Sequence, residues 1–425
     1  METSSLFGKR LLILGGNRET GALVEYANTL GICTHVLDPY LDAPAKRYAH
    51  KSHNCDAMDI ERVITICKNE KIDGVLVGIA DILIPSYELI CSALNLPCYA
   101  NKSTINAFSS KSLFIKSCQK YSIDTVQTIP SAKINLISDS DFPLIVKPVD
   151  NGAGVGMSVC QNHEELKESL KFALDNSKQK KVIIEKFMQC EDMHAYYTFI
   201  NGEVYLSALA DRYKTMLQKI GSPVCIGARY PSIYLTSFLS SVHPRLVAMF
   251  NDLGVQNGVL NIQFFHENGK FYAYDPGFRL QGEGPHLHLL AANGFDHRKM
   301  LINFALTGKM INEAFECLND VRFKNTFAAT VWVLLNQGTI RNISGLNEIK
   351  NLESYKNIIQ RFEVGDRVEE GMLGTERQVF ARIYLQNSDQ TKLLGDIKKL
   401  NQSIKVESIS NKTMILDSLY RVNHE

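Results

Sequence analysis

The ten cysteines, scattered from Cys33 to Cys317, include no Cys-x-x-Cys pair and no cysteine–histidine group at zinc-finger spacing. That excludes a zinc-stapled fold and leaves reduced thiols in a cytoplasm as the simplest reading. No apolar run approaches the about 18 residues that a membrane helix needs. The run Leu11–Leu14 stops at Gly15 and Gly16 and is too short for a signal-peptide core, so the chain reads as soluble and cytoplasmic. Charge of one sign is missing too. Lys and Arg number 46 against 45 Asp and Glu, a formal net charge of +1, which argues against a broad footprint for nucleic acid. An anionic ligand must therefore be held by a few local charges.

Two common nucleotide signatures are also absent. The Gly-Lys pairs ending at Lys9, Lys270 and Lys309 lack the upstream glycine and the following Ser or Thr of a P-loop. The segment Gly15-Gly16-Asn17-Arg18-Glu19-Thr20-Gly21 is not G-x-G-x-x-G, and an acid at the next strand end, Asp38, is common in α/β folds. A tight strand-to-helix turn is the better reading of these glycines, with a dinucleotide oxidoreductase as the lesser alternative.

What is present is a chain of 425 residues, 45% hydrophobic and 21% charged, which suggests roughly two to four domains of an ordinary globular protein. Alternating strand and helix signals from "RLLILGG" to "CYA" predict a parallel, helix-covered, doubly wound sheet over residues 1–105. Its crevice lies at the carboxyl ends of the strands, where Gly15, Gly16, Asp38 and Asp81 fall. A helix pair, "INAFSSKSLFIKSCQKYS", opens a second unit over 106–315, with a lid subdomain at about 130–185. Residues 316–425 read as a β-rich closing part with one amphipathic helix, "SDQTKLLGDIKKLNQSI", whose charges suit a solvated face. The fold class is α/β, multi-domain.

The chemistry concentrates in the second unit. Strand "FPLIVKPV" carries Lys147 and runs into a loop with glycines at 152, 154 and 156. A two-residue hairpin needs only Asn-Gly, so this loop has backbone freedom to spare, enough for main-chain N–H groups to approach phosphate. A flexible hairpin beside a solvated lysine is the competing reading. "KVIIEKFM" then leads a strand into Glu185 with Phe187 and Met188 beyond it, a pattern suited to hydrogen-bonding and packing an adenine, and Asp192 follows. "VLNIQFF" and "KFYAYDPGFRLQG" predict two strands bearing Gln263, Asp275 and Arg279 near their ends. Oxygen ligands on adjacent strands suit Mg²⁺. Arg212, in Asp211-Arg212-Tyr213, reads as a carboxylate partner or equally as part of a solvated turn. His286 and His288 with Glu283 lack i, i+4 spacing and read as a substrate-facing wall more readily than as a zinc site.

In this order the motifs resemble the ATP-grasp ligases, closest to the carbamoyl-phosphate synthetase large chain, biotin carboxylase and bacterial carboxylate-amine ligases. The resemblance spans nearly the whole chain. It implies ATP and Mg²⁺ as cofactors, with Lys111, Lys147, Gly152, Gly154, Gly156, Glu185, Phe187, Met188 and Asp192 around the nucleotide. It further implies Gln263 and Asp275 at the metal, and Lys147 and Arg279 in catalysis. The departures are Cys190 where the family has glycine, Asp275 where it has glutamate, and Gly277 where it has asparagine, with Glu283 as a substitute ligand. The implied reaction activates a small carboxylate as an acyl phosphate and transfers it to an amine, without nucleic acid or membrane, with a homodimer left open. An ATP-binding module of the same fold that has lost catalysis is the alternative.

Overall fold

The computed structural model describes residues 6–149, 154–215, 223–311 and 320–417. Gly152 and the boundary expected at 316 lie outside the described residues. Among the described residues the strands form four sheets.

The first sheet is parallel, in the order β3 (Lys51–Asn54), β2 (Cys33–Asp38), β1 (Arg10–Leu14), β4 (Gly74–Val77). β1 and β4 are buried Leu, Ile and Val runs, as a sheet covered on both faces requires. The chain winds out from β1 to β3, then returns to β4 on the far side of β1. The switch point between β1 and β4 is therefore the crevice, and Gly15 and Asp81 flank it. Gly16 forms the tight turn expected: a Cβ there would lie 2.6 Å from Ala43 Cβ and 2.9 Å from Asp38 Cβ. Its N–H donates to Asp38 at 2.8 Å, and the same carboxylate accepts from Tyr40 N at 2.9 Å. Asp38 is thus consumed by its own loop. Helix α1 (Arg18–Thr29) starts directly behind, with Asn17 Oδ1 accepting from Thr20 N at 2.9 Å.

Two expectations change here. "CYA" forms no strand; Tyr99 is instead buried, with its ring edge against Phe278 at 5.2 Å. The polar segment Lys51–Asn54 does form one, at the sheet edge, where partners on one side only leave no apolar alternation to read. Helices α2 (Ile60–Glu70) and α3 (Ile84–Leu94) follow, and the pair α4 (Lys102–Ser109) and α5 (Lys111–Lys120) leads to the second unit.

The lid sheet is antiparallel, in the order β5 (Thr128–Ile129), β8 (Val182–Lys186), β6 (Leu144–Pro148), β7 (Ser158–Cys160), covered by α6 (His163–Asp175). Leu166 and Ala173 of α6 pack on Leu144, Val146, Cys160 and Ile184.

The central sheet runs β13 (Lys270–Gly277), β12 (Gly258–Glu267), β9 (Glu191–Ile200), β10 (Glu203–Lys214), β11 (Cys225–Tyr230), β14 (Phe327–Leu335), β16 (Val379–Asn387), β15 (Tyr355–Gln360). Its hydrogen-bonded neighbours are antiparallel. Strands from the C-terminal part thus continue the same sheet through the pairing of Gly227 with Val331. The amphipathic helix forms as Gln390–Ser403 and buries Leu393, Ile397 and Leu400 against Val331 and Ile383. Among the described residues the nine cysteines are unpaired, and no helix is long and apolar enough to cross a membrane.

Candidate nucleotide and acyl-transfer site

The β6–β8 pairing sets Ile145 opposite Glu185 and Lys147 opposite Ile183. Lys147 and Glu185 are therefore diagonal neighbours on one face, within reach of long side chains. Lys111, the first residue of α5, arrives from the other side. Glu185 Oε1 accepts from Lys111 Nζ at 2.5 Å and Oε2 from Lys147 Nζ at 2.6 Å. Burial and the neighbouring Lys147 ammonium push the Lys111 pKa down to about 8, with Glu185 working against them. Burial opposes the charge on Lys147 as well, but Glu185 outweighs it and its pKa is raised. For Glu185 the penalty of burial is likewise outweighed, by Lys147 and then Lys111, and its carboxyl stays below the usual range.

Of the lid glycines within the described residues, Gly154 has φ 83° and Gly156 φ 75°, conformations that favour glycine. A Cβ on Gly156 would also fall 2.6 Å from Asn176 Cβ and 2.7 Å from Pro148 Cγ. Gly156→Ala is expected to destabilise the lid by about 1–3 kcal/mol; hydrogen exchange across β6 and β7 that stays unchanged would contradict this. Phe187 and Met188 are half-buried beyond β8.

Arg212, two residues before the carboxyl end of β10 (Glu203–Lys214), is buried and in no solvated turn. Its Nη2 donates to Glu283 Oε1 at 2.7 Å, and its Nη1 to Gln263 Oε1 at 2.9 Å and to Asp192 Oδ1 at 3.4 Å. Asp192 also accepts from Tyr274 OH at 2.9 Å and pairs with Lys214. Lys214, two residues after Arg212 and so on the same strand face, lies 4.9 Å over the Phe265 ring, which stacks on Tyr274 at 4.3 Å. Glu283 is held below the usual carboxylate range: burial opposes this, but Arg212 and then His194 outweigh it. His194 Nδ1 lies 3.4 Å from Glu283 Oε2. Lys214, Tyr274 and His194 were not singled out from the sequence; the signal available for Lys214 was its alternation with Arg212.

Gln263 stands opposite Asp275 across the β12–β13 hairpin, with Nε2 3.5 Å from Asp275 Oδ2. Asp275 is exposed at its strand end, close enough for its charge to raise Lys147. Arg279 pairs with Asp81 from the first sheet's crevice and donates to Leu280 O at 3.0 Å and Gln281 Oε1 at 3.2 Å. Gly277 pairs with Asn261, and a Cβ at 277 would sit 2.8 Å from Asn261 Nδ2. The missing asparagine leaves a notch that the opposite strand's amide fills.

His288 is buried, 3.0 Å from Thr330 Oγ1 and between the Tyr230 and Tyr384 rings; His286 is buried at the start of the same helix, His286–Asn293. Among the described residues no group of three or more His, Cys, Asp or Glu could hold a metal by itself. Behind Arg279, Glu19 pairs with Arg361 and Arg382, and Arg382 Nη1 donates to Gly282 O at 2.8 Å. That second ion-paired wall was not foreseen, because its members are more than 340 residues apart in sequence.

The family described as D-ala D-ala ligase C-terminus matches residues 106–206. A formate-dependent phosphoribosylglycinamide formyltransferase of Methanocaldococcus jannaschii is 26% identical over 189 residues, 42% of this chain and 48% of that protein. The chain thus spans about half the length of such curated relatives. Among solved structures, the L-amino acid ligase of Bacillus licheniformis superposes with a TM-score of 0.77 at 16% identity, covering 95% of this chain and 99% of that one. The biotin carboxylase domain of Hydrogenobacter thermophilus 2-oxoglutarate carboxylase, solved with MgADP and bicarbonate, gives a TM-score of 0.72 at 14% identity, covering 97% and 92%. With the lid sheet, the paired lysines and the Gln263–Asp275 hairpin in this arrangement, the chain shares the fold of these solved ligase and carboxylase structures, and its residues 106–206 match the ligase family model.

Proposed function

We propose that the protein is a carbon–nitrogen ligase that uses MgATP to activate a small carboxylate and pass it to an amine. The observation that carries this reading is the convergence of Lys111 and Lys147 on one buried carboxylate, with Asp275 and Arg279 nearby. Two cations from different elements are a suitable grip for a triphosphate in a chain without a P-loop. Phe187 and Met188 pack the adenine, the glycine lid around 152–156 excludes water, and Asp192 meets the ribose once its partners yield. The substrate carboxylate attacks the γ-phosphoryl group, releasing ADP and leaving an acyl phosphate. The amine then displaces phosphate, and Arg279 orients the phosphoryl oxygens with its planar fork.

Magnesium would sit on the exposed carboxylate of Asp275 and on phosphate oxygens, where it neutralises charge. Gln263 reaches it only by releasing Arg212 or Tyr274, which now hold its Oε1. In this reading residues 1–105 supply the substrate crevice, 106–315 the nucleotide grip and 316–425 the closing wall, in a cytoplasmic enzyme acting on small molecules. The names of similar proteins support the carboxylate, with formate, an amino acid and bicarbonate as their acids. The biotin carboxylase domain is described as a dimer, and a homodimer is carried over from it.

An ADP-release screen over amino acids and small carboxylates, each with and without an amine mixture, tests the proposal. Release that depends on one acid supports it. Nucleotide binding without turnover on any acid would favour the ATP-binding module, a reading to which the Gly277 notch lends weight.

The pH dependence follows from Lys111. Its pKa is about 8 in the free protein, and phosphate bound beside it raises that value, so binding takes up a proton. ATP affinity is therefore full below about pH 8 and falls above it, by up to about tenfold per unit. Titration calorimetry from pH 7 to 9.5 reads this directly; a flat profile would contradict it.

A further inference from the structure

Glu185 is expected, by resemblance, to read the adenine. Its surroundings suit a different task. Both oxygens already hold an ammonium group, at 2.5 Å from Lys111 and 2.6 Å from Lys147, and Thr128 Oγ1 lies 3.4 Å from Oε1. The carboxylate is 3% exposed, whereas the two lysine side chains are 19% and 20% exposed. An incoming anion therefore meets the lysines without first meeting Glu185, and an adenine amine finds the carboxylate closed off. Without an anion between them, two ammonium groups on one carboxylate's width would repel and swing apart. The carboxylate is what keeps both cations aimed at the same point.

We infer that Glu185 is a positioning residue: an internal counter-anion that polyphosphate displaces from Lys111 and Lys147. It then sets how strongly any polyphosphate is held, with or without a nucleoside. This rests on the nucleotide reading above. Each binding event exchanges one anion for another at the same two cations, so Glu185 lowers affinity for every polyphosphate while preserving the geometry that receives it.

The test is calorimetry with inorganic tripolyphosphate and with ATP, on the full chain and on Glu185→Gln. The expected result is that the variant binds tripolyphosphate about tenfold tighter and ATP tighter by a similar factor, leaving the ratio of the two unchanged. Structural damage would weaken both ligands, so tightening is a signature of the counter-anion alone. ATP weakened with tripolyphosphate unchanged would assign Glu185 to the adenine and overturn the inference. Should Glu185→Gln fail to fold, Glu185→Asp retains the charge but is too short to span both lysines; a smaller tightening is expected, and equal or weaker tripolyphosphate binding overturns the inference. A wild-type chain that binds neither ATP nor tripolyphosphate overturns the nucleotide reading, and this inference with it, before any variant is made.

Discussion

Lys147→Ala is expected to lower carboxylate-dependent ADP release by about 10²–10³-fold or more, the scale set by losing one preorganised charge-stabilising group. In the proposed reaction Lys147 faces the phosphoryl group throughout, with a carboxylate behind it and Asp275 near enough to hold its pKa up. The fold is expected to survive, because Glu185 retains Lys111 at 2.5 Å and is not left as an isolated buried charge. A coupled ADP assay on the acid found by screening, alongside a thermal melt, separates the two effects. Turnover within a few-fold of wild type would rule out the role given to Lys147.

Arg212→Met should have the largest effect on stability, about 3–5 kcal/mol by urea unfolding. One guanidinium holds Glu283, Asp192 and the Gln263 amide, and among the described residues the other side chain in contact with the Glu283 carboxylate is His194. Methionine fills the volume but leaves Glu283 buried without its main partner. The pH dependence has a definite sign. Glu283 in the wild type has a depressed pKa, so its contribution is present above the ordinary carboxylate value and is lost as pH falls through the folded one. In the variant that stabilisation is gone, and the unpaired carboxyl is raised instead. The difference between the two proteins should therefore be largest near neutral pH and shrink in acid. A difference under about 1 kcal/mol at pH 7 would show that water or a neighbour replaces Arg212.

The contrast between Lys147 and Arg212 shows what was legible in the sequence. Lys147 stands in an apolar run followed by glycines, so strand, loop and charge can all be read within a dozen residues. Gln263 and Asp275 lie on a hairpin whose turn, Asn268-Gly269, announces itself, but that turn alone would set Gln263 opposite Tyr274; a one-residue register shift, which no local signal gives away, brings Asp275 across from it. Arg212 was equally open to a solvated turn, because nothing local says that β9 lies beside β10 with β12 next beyond it, bringing Asp192 and Gln263 within its reach. β9 has an apolar lining on both faces, with Asp192, His194 and Thr198 as its buried polar exceptions, and those exceptions acquire meaning only from the neighbours they meet.

The same limit applies to Glu185. Its distance in sequence from Lys111 is 74 residues and from Lys147 is 38, counted from their numbers. Only the β6–β8 pairing and the entry of α5 bring the three together. A motif can say that an acid follows a strand; it cannot say that two lysines arrive to occupy it. Conversely, the strand-to-helix turn at Gly15 and Gly16 was legible, since the hydrogen-bond partners of Gly16 and of the Asp38 carboxylate lie within 30 residues of one another.

The most direct test of the account is a crystal structure of the wild-type protein with MgADP. The account predicts the β-phosphate oxygens within about 3 Å of both Lys111 and Lys147, the metal on Asp275 and the adenine packed against Phe187 and Met188. ADP bound instead at the Gly15–Gly16 crevice of the first sheet, with both lysines still on Glu185, would contradict it.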